Sequence, residues 1–152
     1  MQLRRLFLDT DVVVNWLVKE VETASGKPLW EAPYKIIKLT ESKAATAIIS
    51  LTTLMEIRYL LRRKKSYTPQ QVEDDISKLT SIFEVVIPDE INLLKANAFQ
   101  TEHYLDPFDS IHLALCTSLN PDFLVSRDKE FIQIAKQFIT ALTPEKFLET
   151  SI

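Results

Sequence analysis

The sequence predicts an α/β domain: a parallel sheet of about five short strands, covered by helices on both faces. Three observations carry this prediction. Short segments with an apolar core, such as 4–9 around Leu6–Leu8 and 45–50 around Ala47–Ile49, read as strands buried on both faces. Longer segments with apolar residues at helical spacing lie between them. The two kinds of segment alternate along the chain, and that alternation argues parallel strands joined by right-handed crossovers.

Residues 4–9 form the first expected strand, and a helix over 12–19 follows at once despite its valines, because burial can override propensity. Residues 20–28 are polar, contain Gly26 and read as a loop. Residues 29–41 place Trp30, Tyr34, Ile37 and Leu39 at helical spacing. The second strand is 45–50. A helix over 52–65 should turn Leu51, Leu54, Met55, Ile57 and Leu61 to the core. Thr68-Pro69 opens the next helix, since proline suits the first helical position, and Val72, Ile76, Leu79 and Phe83 make its stripe. Residues 84–87 are the third strand, and Pro88-Asp89-Glu90 opens a helix to about His103. Asp106-Pro107 opens another, marked by Phe108, Ile111, Leu115 and Leu119. Pro121-Asp122 leads into a fourth strand over 123–125. A helix over 128–137, a fifth strand within 138–142 and a short helix capped by Thr143-Pro144 complete the order. No repeat or linker interrupts it, so residues 1–152 read as one domain.

Composition narrows the function classes. A chain of 152 residues, 46% hydrophobic and 26% charged, can bury a core without staples. The one cysteine, Cys116, excludes an internal disulfide and a cysteine-rich metal site, and reads as a small core residue. Gly26 is the single glycine, which excludes the P-loop and the dinucleotide fingerprint. No apolar run approaches the roughly 18 residues of a transmembrane helix. Met1-Gln-Leu-Arg-Arg5 lacks the apolar core and cleavage site of a signal peptide, so a cytoplasmic protein is expected. A net charge of −3 offers no general basic footprint for nucleic acid. An acidic site can nevertheless lower the net charge while local basic patches attract phosphate.

Four carboxylates stand at strand-to-helix junctions or helix starts: Asp9, Glu56, Asp109 and Asp128. Each has a structural account. Asp9 or Thr10 could cap the first helix. Thr53-Leu-Met-Glu56 matches a capping box. Asp106-Pro-Phe-Asp109 orders a cap, a first-position proline and a first-turn acid. Asp128 could cap the helix that starts at Lys129. Each cap would contribute only about 0.5–2 kcal/mol. Together the four imply more. In a parallel sheet the strand carboxyl ends share one edge, where ligands bind. Carboxylates gathered there repel one another, and a divalent cation relieves the repulsion. Oxygen donors without a histidine or cysteine partner suit Mg²⁺ or Mn²⁺ over zinc. Such cations polarise a phosphodiester and lower the pKa of a bound water, so no side-chain nucleophile is required.

The segments Phe7-Leu-Asp9-Thr-Asp11, Leu54-Met-Glu56-Ile57, Phe108-Asp109-Ser-Ile-His-Leu-Ala114 and Leu124-Val-Ser126-Arg-Asp128-Lys-Glu130-Phe131 resemble, in order, the four acidic motifs of PIN-domain nucleases. The resemblance spans residues 6–131 and is nearest to the VapC-type toxins of toxin–antitoxin pairs. It implies a three-layer PIN-like fold with sheet order 3-2-1-4-5, and Mg²⁺- or Mn²⁺-dependent cleavage of RNA. It also implies an antitoxin partner and a homodimer. By position, Asp9, Glu56, Asp109 and Asp128 would be the metal-binding catalytic acids, with Thr10 and Ser126 as supporting polar positions and Glu130 as a variable acid. Asp11 stands where asparagine is common in the family and adds negative charge. Residues 20–41 are a rich segment that could alter substrate or partner choice.

The remaining polar and aromatic candidates are weaker. Arg58, Arg62, Arg63, Lys64 and Lys65 first read as a solvated helix end that complements the dipole, with an RNA-guiding patch as the other reading. Arg127 and Lys129 flank Asp128 and are better placed to meet a phosphate. His112 lies one turn after Asp109 and could face the crevice, although a lone helical histidine is more often packed or on the surface. Trp16, Trp30, Tyr34, Tyr59 and Tyr104 could stack bases, but their spacing favours core packing, a dimer surface or an antitoxin groove. The readings from other classes are a PIN-like module that binds RNA or protein without catalysis, and a phospho-receiver domain. The receiver needs an aspartate at the end of its third strand, where this chain has Ile87-Pro88.

Overall fold

A computed structural model describes residues 3–150; Met1 and Gln2 of the amino-terminal stretch read above lie outside the described residues. The strands are β1 (Arg4–Leu8), β2 (Ala45–Ser50), β3 (Glu84–Val86), β4 (Phe123–Val125) and β5 (Ala141–Leu142). They form one sheet in the order β3-β2-β1-β4-β5, and every pairing is parallel. The helices are α1 (Thr10–Leu17), α2 (Glu31–Glu41), α3 (Leu51–Arg63), α4 (Pro69–Ile82), α5 (Glu90–Glu102), α6 (Pro107–Leu119), α7 (Lys129–Ala135) and α8 (Pro144–Thr150).

The pleat explains the three layers. Side chains alternate between faces along a strand. Phe7 pairs in register with Ile48 and Leu124, and all three enter one core with α5, α6 and α7. Leu6, Leu8, Ala47, Ile49 and Val125 point the other way, into a core with α1, α2, α3, α4 and α8. Central strands buried on both sides therefore read as unbroken apolar runs. The same burial settles α1: Val12 and Val13 are buried, and burial contributes about 1.5–3 kcal/mol per side chain. Helix propensity opposes it by no more than about 0.7 kcal/mol per residue.

The structure corrects several expectations. On α3 the buried stripe is Leu54, Ile57 and Leu61, whereas Leu51 and Met55 are 36% and 57% exposed. Tyr34 and Phe108 are exposed as well. The capping box at Thr53–Glu56 does not form, because the N-cap of α3 is Ser50, three residues before Thr53, accepting from Thr52 N at 3.1 Å. That leaves Thr53 in the helix interior and Glu56 free for other partners. The fifth strand shortens to two residues because the N–H groups of Phe138 and Ile139 donate to Ala135 O and cannot join a ladder. Among the described residues, no helix is long and apolar enough to cross a membrane.

Candidate active site

Since all strands run the same way, Leu8, Ser50 and Val125 end at one edge, and α1, α3 and α7 start from it. Asp9 N donates to Val125 O at 3.0 Å, which ties the end of β1 to β4. A cleft of about 800 Å³ opens at this edge. Asp9, Thr10, Asp11, Glu56, Asp106, Asp109 and Asp128 line it, with Glu20, Val14, Met55, Tyr59, Leu60, Lys64 and Phe108. The four acids picked out in the sequence therefore share one cleft.

Asp9 is buried and well supplied with donors. Its Oδ1 accepts from Thr10 N at 2.8 Å and from His112 Nδ1 at 3.1 Å, and its Oδ2 accepts from Ser126 Oγ at 2.7 Å. Burial alone would push its carboxyl up. The bond and charge of His112, with the bonds from Ser126 and Thr10, outweigh burial and hold it below the usual range. Asp9 is the N-cap of α1 and a site residue at once.

The other acids are in the opposite state. Burial, then the charges of Asp9, Asp106 and Asp128, push the Asp109 carboxyl up to about 8. Burial raises Glu56 too; the bond from Thr10 Oγ1 at 2.8 Å and the charge of His112 offset part of the rise. Asp11 is pushed up to about 8 by burial and by Asp9, although its Oδ2 accepts from Arg127 N at 3.0 Å. Among the described residues, Asp11 Oδ1 is the buried side-chain oxygen without a hydrogen-bond partner. Asp128 is exposed and caps α7, its Oδ1 accepting from Glu130 N at 3.0 Å and Phe131 N at 3.1 Å.

The supporting residues divide. Ser126 is buried; it bonds Asp9 and accepts from Asp128 N at 3.0 Å, linking two of the acids. Thr10 bridges Glu56 and Thr53. Glu130 is exposed in the first turn of α7, outside the residues that line the cleft. Lys129 is exposed beside Asp128. Arg63 stacks over Tyr59 at 5.7 Å, next to the cleft. Arg127 differs from its expected role. Its guanidinium bonds Asn15 Oδ1, Glu145 Oε1 at 2.7 Å and Leu29 O at 2.7 Å, so its donors are committed inside the protein. The reason is burial: the side chain is 16% exposed and must satisfy a buried charge. Trp16, Trp30 and Tyr34 gather with Lys19, Lys38 and Lys78 in a separate groove, and Tyr104 is 99% exposed.

Three residues at the cleft carry more contacts than their sequence context signals. His112 is buried and touches Asp9 directly. Asp106, read as a cap, does accept from Asp109 N at 2.8 Å, but it also lines the cleft. Thr53 joins the hydroxyl network under Glu56. A helical offset of three from Asp109 was the available signal for His112, and nothing local distinguished Asp106 from an ordinary cap.

The donor set fits a divalent cation. Ligand atoms of Asp9, Asp109 and His112 lie within 4.8 Å of one another. Mutually repelling carboxylates and an unpartnered buried oxygen both call for positive charge. Fold and site together define an α/β domain with a metal-competent acidic cleft at the carboxyl edge of its sheet. The PIN domain family model matches residues 5–130, most of the chain, and the chain belongs to that family.

Solved structures agree on the fold. VapBC2 from Rickettsia felis, solved bound to a promoter DNA fragment, matches with a TM-score of 0.68 at 18% identity, over 90% of this chain and 96% of that one. DNA-bound VapBC from Salmonella typhimurium matches with 0.68 at 18%, over 94% and 99%. VapC20 from Mycobacterium tuberculosis, a sarcin-ricin loop cleaving toxin, matches with 0.64 at 18%, over 88% and 96%. Among curated proteins, none matches the chain by sequence.

Proposed function

We propose that the protein is a divalent-metal-dependent endoribonuclease and the toxin of a toxin–antitoxin pair, acting in the cytoplasm as a homodimer. The observation that carries this reading is the convergence of Asp9, Glu56, Asp109 and Asp128 on one cleft, with Asp109 pushed up to about 8 by burial and then by its acidic neighbours. Membership of the PIN family supports it, as do structural neighbours that include a toxin named for cleaving the sarcin-ricin loop and toxin–antitoxin complexes.

Asp9 and Asp109 would be the central ligands of Mg²⁺ or Mn²⁺, with Glu56 and Asp128 completing the set. When bound, the cation polarises the scissile phosphodiester and acidifies a water. The chain's own part is to hold the carboxylates. Thr10 orients Glu56, Ser126 orients Asp9, and the backbone N–H groups at the start of α7 orient Asp128. Lys64 lines the cleft, Arg63 stacks on its Tyr59 and exposed Lys129 adjoins Asp128, so these three side chains would be available to RNA phosphates. Arg127 is already engaged and takes no such part.

The test is RNA cleavage by purified protein with Mg²⁺ or Mn²⁺. Activity should vanish with a chelator and with Asp9→Asn. Cleavage that survives either change overturns the reading; RNA binding with no cleavage at all overturns it in favour of a binding module without catalysis.

A further inference from the structure

His112 lies on α6 one turn beyond Asp109, so a single helix carries one proposed ligand and a partner of the other. It is 1% exposed, and its ring lies 5.5 Å from that of Phe7 at an interplanar angle of 55°. Proximity to Asp9 and Asp109 makes it look like a third metal ligand. The hydrogen bonds say otherwise. An ionised carboxylate only accepts, so the proton between His112 and Asp9 is on Nδ1, and that nitrogen has no lone pair to give. Nε2 lies 3.4 Å from Thr52 Oγ1 and 3.4 Å from Thr53 Oγ1, turned to hydroxyls. Thr10 has one hydroxyl proton, and Glu56 takes it; Thr53 must then give its own proton to Thr10. Thr52 Oγ1 also lies 2.7 Å from Ser50 Oγ; with the Ser50 hydroxyl donating there, Thr52 is the hydroxyl left to donate to a neutral ring. Both ring nitrogens are thus accounted for.

Asp9 has few acceptor sites left. A carboxylate has about four acceptor sites, two on each oxygen. Thr10 N and His112 Nδ1 occupy Oδ1, and Ser126 Oγ occupies one site of Oδ2. We infer that His112 is a positioning residue: it closes Oδ1 of Asp9 and leaves a single Oδ2 lone pair for a cation, so Asp9 binds through one oxygen. This rests on the reading of Asp9 as a metal ligand. Without the His112 bond, Oδ1 would regain an acceptor site and the carboxylate would lose one of the three contacts that fix its plane.

The experiment compares His112→Leu and His112→Asn in metal-stripped protein, each checked for a cooperative melt. In asparagine, as in histidine, a nitrogen is bonded to Cγ, so His112→Asn can restore the donor to Asp9. Mn²⁺ affinity by calorimetry should fall about 10–100-fold in His112→Leu, the range for loss of a partner behind a metal ligand, and recover in large part in His112→Asn. In RNA cleavage, kcat should fall with KM held. ¹⁵N NMR of the wild-type protein without metal should show a protected His112 proton on Nδ1; a ring protonated on Nε2 alone overturns the inference whatever the variants do. Wild-type affinity in His112→Leu, with binding abolished by Asp9→Asn, overturns the inference and spares the proposed function. A wild-type protein that takes up no Mn²⁺ overturns both.

Discussion

The two sides of the cleft hold the same chemical group in opposite states. On the strand side, Asp9 receives three donors and stays ionised in spite of burial. On the helix side, burial and then the negative neighbours push the Asp109 carboxyl up to about 8. Protein hydrogen bonds complete the first environment. The second is complete only when positive charge arrives. On the proposed function, the fold preorganises one ligand at little risk and leaves its partner frustrated, and that frustration would become affinity for a cation.

Removing each carboxylate in turn tests this asymmetry with the largest expected effects. Asp9→Asn and Asp109→Asn should both abolish cleavage, by more than the roughly 100-fold typical of partners behind a ligand. Their effects on the metal-free fold should differ in sign. Asp9→Asn disturbs donors built for a carboxylate, and should cost about 1–3 kcal/mol. Asp109→Asn removes a charge that the fold resists, and should raise the melting temperature above neutral pH. Equal loss of stability in both would break the comparison.

pH provides a smaller effect of defined sign. Asp109 and Asp11 start from an ordinary value of 3.8 and titrate near 8 in the fold. Between those values the folded state holds more protons than the unfolded one, so stability falls as pH rises. The loss is complete above about 8. Asp9 acts in the opposite sense, but only below pH 3.8, outside this window. The metal-free melting temperature should therefore decline from pH 5 to pH 8. Mn²⁺ should flatten the decline, since it favours the deprotonated ligands. A metal-free curve that rises across this range would show that the acids are not forced together.

The fold was legible because its signals are local. Apolar runs gave β1 and β2, and Thr68-Pro69 and Asp106-Pro107 marked helix starts that the structure keeps. The convergence of the acids was legible because a parallel sheet puts its strand ends on one edge. What was not legible depends on which way a side chain turns. Met55 and Leu54 are adjacent and equally apolar, yet one lines the cleft and the other the core. Thr53 looked like a cap until Ser50 took that role. His112 needed the position of Asp9, 103 residues away, to acquire a meaning.

Arg127 and Lys129 were equally legible as cations flanking Asp128, and the structure separates them. This gives the smallest predicted effect. Arg127 fastens α1, the loop ending at Leu29 and α8 through Asn15, Leu29 O and Glu145. Burial would raise the Glu145 carboxyl, but Arg127 and Lys27 hold it below the usual range. Arg127→Gln should destabilise the fold by about 1–3 kcal/mol, the cost of leaving buried polar partners unmet. It should leave the salt dependence of RNA binding unchanged. Lys129 is exposed, so Lys129→Gln should stay within about 0.5 kcal/mol of wild-type stability. If it meets a phosphate, the slope of log affinity against log salt should fall by about 0.7, the value for one contact to a single strand. Measuring both slopes on a catalytically inactive Asp109→Asn background keeps the RNA intact. A change of slope with Arg127→Gln would mean that the arginine leaves its internal partners when RNA binds.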